Sequence, residues 1–227
     1  MIAEDLQQNP LVALPTGEGG LGFDLQSHDE VANGRTRITA EVNEDHPGSW
    51  EAIRRAALGA VLVMTAFDVP MLFQGQEWAD EDWFDDERLL AWDRRDERTG
   101  TVAMWRDLIR LRTGRDDRAG GLRGDQISVH HVDDAGTFAM LRWGVGGVDD
   151  AVLVVSNFVG EPVTARVGVP VAGTWSPVFD STWSGYHPTG SDTLATSLDT
   201  FDGPCDQQPF GIEITLDSYG SAILTRS

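Results

Sequence analysis

Ser27-His28-Asp29-Glu30-Val31-Ala32-Asn33-Gly34 is the stretch on which the reading of this chain turns. It sets an imidazole beside two carboxylates and then breaks at Asn33-Gly34, so the polar cluster belongs at the mouth of a loop and not within a packed element. Loops of that make-up are where chemistry tends to be placed. A second reading is open: Ser27 and Glu30 have the S-x-x-E spacing of a capping box that closes a helix N-terminus. That reading wants an apolar helical run next, and Gly34 followed by Arg35-Thr36-Arg37 is a poor one.

Upstream, Met1-Ile2-Ala3-Glu4-Asp5 reads as the tail of a buried strand that delivers a carboxylate to its end. Three apolar residues fall short of the roughly five or six of an interior strand, so the chain is expected to start within an element. Gly17 to Gly22, with Phe23-Asp24 after them, form a loop. Downstream, Gly48-Ser49 opens a helix: Ser49 is a fair N-cap, Glu51 falls in the first turn, and Ile53, Ala57, Val61 and Met64 recur at helical spacing.

Val69-Pro70-Met71-Leu72-Phe73 is a short apolar run ended by Gly75, the pattern of a strand buried on both faces. Gln74-Gly75-Gln76-Glu77-Trp78 follows it. Amides and carboxylates bond sugar hydroxyls and an indole stacks on an apolar ring face, so this group suits a carbohydrate. Trp78, Trp83 and Phe84 read either as platforms for sugar rings or as pins that hold an acidic loop in place. Val102, Trp105, Leu108, Ile109 and Leu111 make an amphipathic stripe over residues 101–112, read as core packing.

From Gly120 the apolar period drops to two: Ile127-Val129-His131, Phe138-Met140, Val152-Val154, Val167-Val169, Ile212-Ile214-Leu216 and Ala222-Leu224. Glycine-rich turns separate these runs. Seven or eight short strands predict an antiparallel β-sandwich. His130 and His131 fall on opposite strand faces, so both are read as structural and no metal site is expected. The single cysteine, Cys205, has no nearby histidine to pair with and reads as a bystander.

The charge narrows the partners. With 37 acidic residues against 17 basic ones the net charge is −20, and every basic residue is arginine. Such a surface repels nucleic acid and anionic membranes. It fits a high-salt cytoplasm, where mutual repulsion is screened, or a GC-rich genome. The longest apolar stretch, Ala56 to Phe67, is too short to span a bilayer, and no leader is recognisable at the N-terminus, so a cytoplasmic location is expected.

Several of these segments resemble one family in order along the chain. Ser27 to Gly34 resembles the fourth signature region of the alpha-amylase family, glycoside hydrolase family 13, in the form found in 1,4-alpha-glucan branching enzymes. Ile2-Ala3-Glu4-Asp5 resembles the third region, and Pro70 to Glu77 resembles the eighth barrel strand with its loop. Leu89 to Asp93 and Ser181-Thr182-Trp183-Ser184-Gly185-Tyr186 continue the likeness. The resemblance implies α/β plus all-β architecture: a partial (β/α)8 TIM barrel over residues 1–119, then a C-terminal β-sandwich over residues 120–227. It further implies Glu4 as the general acid/base, Asp29 as the carboxylate that holds ring hydroxyls, and His28 as its helper. Glu30, Gln76, Glu77 and Trp78 are the further substrate-binding positions, and no cofactor is called for.

Two departures from the family pattern shape the expectation. Glu4 and Asp29 stand only 25 positions apart, where two βα units of about 30 residues each should separate their strands. A join near residues 24–27 is therefore expected. The family's nucleophile, an Asp in a motif ending Arg-x-Asp, has no counterpart, and about 120 residues replace the roughly 250 of a closed barrel. The expected function is part of a retaining enzyme acting on glycogen, starch or maltooligosaccharide, most like a branching enzyme with a hydrolysing alpha-amylase next. The isolated chain is expected to be inactive, and the missing half of the barrel is its expected partner. A non-catalytic glucan-binding or interaction module is the alternative.

Overall fold

A computed structural model describes residues 2–4, 25–27, 37–67, 69–83, 85, 87–115 and 117–227, the first two segments by their backbone. Those two segments are strands β1 (Ile2–Glu4) and β2 (Leu25–Ser27), which pair in parallel with Ile2 opposite Leu25 and Glu4 opposite Ser27. Among the described residues four α-helices follow: α1 (Ile38–Val42), α2 (Trp50–Thr65), α3 (Trp92–Glu97) and α4 (Thr99–Thr113).

Helix α2 starts where its sequence says it should. The Ser49 hydroxyl accepts the Ala52 amide at 3.3 Å, and Glu51 sits in the first turn, where the helix dipole favours a carboxylate. Its apolar face, Ile53, Ala57, Val61 and Met64, is buried as the spacing predicts. Helix α4 ends at Gly114, whose φ of 67° is the left-handed conformation that lets its amide turn back to the Arg110 and Leu111 carbonyls. The buried arc of α4 is Thr101, Met104, Trp105, Leu108 and Leu111. Two residues of the expected stripe depart from it, since Val102 is half-buried and Ile109 is exposed. At 100° per residue, position 109 rotates off the arc defined by 104, 108 and 111.

The expected strand over Val69 to Phe73 is absent. Among the described residues this segment joins no ladder, and Val69, Met71 and Leu72 are exposed. A strand buried on both faces needs a neighbour on each side to take its amides and carbonyls, and Pro70 already lacks a donor. The chain then turns at Gly75, with φ of 91°, and its carbonyl accepts the Asp80 amide at 2.9 Å.

The C-terminal region is all-β, as the period of two predicts. Its strands are β3 (Gln126–Val132), β4 (Thr137–Trp143), β5 (Val152–Asn157), β6 (Val163–Val169), β7 (Thr174–Asp180), β8 (Leu198–Asp199), β9 (Phe201–Cys205), β10 (Gln208–Leu216) and β11 (Ser221–Arg226). One sheet runs in the order β3-β4-β5-β11-β7-β8 and a second in the order β6-β10-β9, with every pairing antiparallel.

The larger sheet is a wall shared by two cores. Met140, Val152, Val154, Phe179 and Ile223 point to α2 and α4, and join Val61, Met64, Trp105 and Leu108 in one cluster. Leu141, Leu153, Val155, Trp175 and Leu224 point the other way, onto Val167, Ile212 and Ile214 of the smaller sheet. That is why β5 reads Val-Leu-Val-Val with no polar alternation: both of its faces are covered. Arg142, fully buried on β4, clamps the wall to the helices by donating to the carbonyls of Thr65, Gln126, Leu122 and Gly124. Its five donors, spread over a planar fork, can serve all four carbonyls at once, where an ammonium has only three.

The edge strand β3 departs from the expected alternation. Ile127 and Val129 are exposed, and a bulge between Val129 and His131 breaks the period of two. Both histidines nevertheless have protein partners: His130 Nε2 lies 2.9 Å from the Gly168 carbonyl, and His131 Nδ1 lies 2.8 Å from Asp206. Cys205 is a free thiol, pushed up in pKa by burial and by the adjacent Asp206 carboxylate.

Candidate functional site

The residues expected to bind substrate fall into two groups. Glu4 closes β1, level with Ser27 at the end of β2. His28, Asp29 and Glu30 lie outside the described residues, as does the side chain of Glu4. What the structure contributes is the backbone register, in which two parallel strands end together and the Ser27 strand leads directly into the His28-Asp29-Glu30 sequence.

The second group occupies the turn after Gly75. Gln76, Glu77 and Trp78 form a single 3-10 turn. Gln76 Oε1 accepts the Phe73 amide at 2.9 Å and Glu77 Oε2 accepts the Gly75 amide at 2.9 Å, so both side chains brace the turn that carries them. The Gln76 carbonyl in turn accepts the Trp105 indole N–H at 3.1 Å, which fixes the turn to α4. Trp78 is only 1% exposed, and its ring lies 5.1 Å from that of Trp92. In this arrangement it pins the loop, while Trp83 and Trp92 present half or more of their surface to solvent.

Sequence reasoning missed the residue on which this loop is built. The Asp80 side chain is 1% exposed, and its Oδ1 accepts from Arg94 at 2.6 Å and from the Glu81 amide at 2.9 Å. Its Oδ2 makes no hydrogen bond and faces the Arg37 guanidinium at 4.0 Å. Arg37, itself buried, donates to the Gln74 carbonyl at 2.7 Å and the Asp82 carbonyl at 3.0 Å, and lies over the Phe73 ring. Arg98 pairs with Glu81 and with the Ala79 carbonyl.

A buried charge persists only when it is paired, and here Arg94 of α3 and Arg37, from before α1, supply the pairing. Asp80 therefore acts as a fixed strut for the loop. The available signal was compositional: one aspartate directly after Trp78-Ala79, opposite Arg94, Arg95 and Arg98, in a stretch that otherwise reads as a solvated acidic run.

Between this loop and helices α1, α2 and α4 lies a cavity of about 200 Å³, walled mainly by apolar side chains such as Val63, Phe73 and Met104. Asp80, Gln76, Thr39 and Thr101 add polar atoms to its lining. Such a cavity binds apolar surface better than it performs proton transfer, because its one carboxylate is held by arginine. Among the described residues, no group of three or more His, Cys, Asp or Glu side chains is arranged to hold a metal ion. No helix among them is long and apolar enough to cross a membrane.

Comparison with known proteins bears on both regions. The family model described as alpha amylase, C-terminal all-beta domain, matches residues 128–227. The 1,4-alpha-glucan branching enzyme GlgB of Burkholderia thailandensis is 25% identical, over 98% of this chain and 32% of its own length. GlgB of Jannaschia sp. is 29% identical, over 87% of this chain and 28% of its own. The chain thus spans about a third of the length of such relatives.

Among solved structures, the alpha-amylase from H. orenii superposes with a TM-score of 0.57 at 14% identity, covering 92% of this chain and 42% of that one. The Nostoc punctiforme debranching enzyme superposes with a TM-score of 0.55 at 17% identity, covering 77% of this chain and 32% of that one. At such identities the two structures speak to the fold alone.

Proposed function

We propose, for a chain that belongs to the alpha-amylase family of glycoside hydrolases and is similar there to 1,4-alpha-glucan branching enzymes, that it is the C-terminal part of a retaining enzyme of glycogen or starch metabolism, working in the cytoplasm. Residues 1–119 are the last part of a (β/α)8 barrel and residues 120–227 the sandwich that follows it. In this reading Glu4 donates a proton to the leaving glycosidic oxygen and then takes one from the acceptor hydroxyl. Asp29, helped by His28, holds the ring hydroxyls and binds them more tightly as the ring gains oxocarbenium character. Glu30, Gln76, Glu77 and Trp78 shape the sugar subsites, the last three by fixing the loop that borders them.

Retention requires a second carboxyl about 5 Å from the acid/base to form the covalent glycosyl intermediate. No position of this chain matches the family's nucleophile, so that group comes from the complementary barrel half. A sugar 6-hydroxyl or a water resolves the same intermediate. Branching therefore comes first and hydrolysis second on similarity, not on any residue of the site.

The observation that carries this reading is the parallel register of β1 and β2. Ends of adjacent parallel strands on one side of a sheet are where barrel enzymes collect catalytic groups, and here Glu4 is level with Ser27, two positions before Asp29. The exposed apolar side chains of Val63, Phe67, Val69, Met71 and Leu72 support a missing half of the barrel as partner, since barrel strands would cover such a surface.

The test is product analysis on amylose. The chain alone should neither shorten amylose nor form α-1,6 links. Joined to the first barrel strands of a branching enzyme, it should form them in a manner abolished by Glu4→Gln or Asp29→Asn. Turnover indifferent to both substitutions would remove the site assignment.

A further inference from the structure

In the sandwich, the loop after β7 carries an exposed indole on a rigid mount. Trp143, Trp175 and Trp183 are the tryptophans of the sandwich; Trp175 is fully buried, whereas Trp183 is 47% exposed. The Trp183 ring meets Tyr186 edge-on, with centroids 4.9 Å apart and planes at 89°. Its six-membered ring rests on Gly185, where an added Cβ would come within 2.4 Å of the ring carbons.

The backbone beneath this indole is held throughout its length. Thr182 donates to Asp180 Oδ1 from its amide at 2.8 Å and its hydroxyl at 2.7 Å, and Ser184 donates to Asp192 from its hydroxyl at 2.9 Å. The Ser191 amide reaches the Thr182 carbonyl at 2.7 Å, and Tyr186 anchors the loop to α4 through a 2.7 Å hydrogen bond to Asp107. Internal stability of the loop does not require half an indole to remain in water. An aromatic surface fixed in advance loses little freedom when a ligand stacks on it.

Beside the ring is an open hollow of about 220 Å³, bordered by Phe179, Asp180, Trp183, Tyr186, Leu194 and Thr196. Asp180 uses Oδ1 for Thr182, which leaves Oδ2 to accept from a ligand. Burial raises its pKa, Asp192 and Asp217 add to the effect, and the Thr182 hydrogen bonds oppose it, so a hydroxyl donor at the free oxygen would be welcome. The surrounding carboxylates and a net charge of −20 exclude an anion. An aromatic platform with a carboxylate and a threonine hydroxyl at its rim suits a neutral, polyhydroxylated ring with one apolar face.

The structure assigns to Trp183 and its hollow a second sugar-binding site, which takes a segment of α-1,4-glucan by stacking on the indole and bonding hydroxyls to Asp180 and Thr196. The identity of the sugar rests on the family reading; the platform itself does not. Such a site holds a glucan chain on the sandwich independently of the barrel carboxylates.

Isothermal titration of the full chain with maltoheptaose tests it. Wild type should bind saturably, and Trp183→Ala should weaken binding at least tenfold with an unchanged melting temperature. Asp180→Asn should weaken it severalfold, while Phe158→Ala, an exposed aromatic elsewhere on the sandwich, should leave it unchanged. Trp183→Phe serves if the alanine variant does not fold: it should keep binding within a few-fold but lose the ligand-induced change in tryptophan fluorescence.

Wild type failing to bind maltoheptaose at millimolar concentration, Trp183→Ala binding within twofold of wild type, or the fluorescence change surviving in Trp183→Phe would each overturn the site. None of these readouts involves Glu4 or Asp29. Equal binding by Trp183→Ala and wild type would therefore leave the catalytic reading standing, and a glucan-binding chain that shows no Glu4-dependent turnover even when joined to the complementary barrel strands would do the reverse.

Discussion

Arg54 of α2 carries more of the molecule's cohesion than its position on a helix surface implies. It is buried and donates to Asp217 at 3.1 Å, to the Ser218 carbonyl at 3.0 Å and to the Thr189 carbonyl at 2.6 Å, so one guanidinium joins the helices to two loops of the sandwich. Removing one partner of a buried pair leaves the other uncompensated, at a cost of about 3–5 kcal/mol. Arg54→Ala should therefore lower the unfolding free energy by about 3 kcal/mol in chemical denaturation.

Asp217 gives the same contact a pH signature. Burial works against its charge, but hydrogen bonds from Ser191 and the Ser218 amide, together with Arg54, outweigh it and hold the carboxyl below its ordinary 3.8. A depressed carboxyl contributes stability that is present above its unfolded pKa and lost as pH falls through the folded value. The melting-temperature gap between wild type and Asp217→Asn should thus be full at pH 7 and begin to narrow as pH falls towards 3.8, shrinking further through the lower folded value. A gap that does not narrow at all as pH falls below 3.8 would show that the contribution does not come from the charge.

At the scale of elements, the helix and sandwich segments were readable because each obeys one period. Ser49 capped α2 and the 3-4 spacing fixed its buried face, while alternation found β4, β6, β10 and β11. The run at Val69 to Phe73 was not readable in the same way, since an apolar segment bracketed by Pro70 and Gly75 states only that it is extended. Whether it becomes a strand depends on a neighbour supplied from elsewhere in the chain.

Docking of α4 on the sandwich depends on a close backbone approach that alternation and helical period do not report. A Cβ on Gly100 would lie 2.3 Å from the Tyr186 carbonyl oxygen. Gly100→Ala, which improves intrinsic helix propensity, should nevertheless destabilise the protein, with the loss read as a lower melting temperature. Leu108→Ala, at the centre of the helix–sheet cluster, should cost about 2–5 kcal/mol.

For the whole molecule, the family likeness lay in short segments that survive in order, and the sandwich followed from it and from periodicity alike. The candidate site was legible only as chemistry. Glu4, His28 and Asp29 could be named from their neighbours, while the strut formed by Asp80 with Arg37 and Arg94 could not, because its members are 43 and 14 positions apart in sequence and meet only in the fold. The likeness to branching enzymes extends along nearly all of this chain but only about a third of theirs; on the proposed reading, in which Glu4 and Asp29 are two of three carboxylates, the chain should bind glucan without cutting it.

Anomeric proton spectra of amylose incubated with the purified chain test that conclusion most directly. No α-1,6 signal and no new reducing ends should appear with the chain alone, and an α-1,6 signal without a matching rise in reducing ends should appear in a Glu4-dependent manner once the complementary barrel strands are joined to it. Branching or hydrolysis by the unaided chain, at a rate that Glu4→Gln and Asp29→Asn leave untouched, would contradict it.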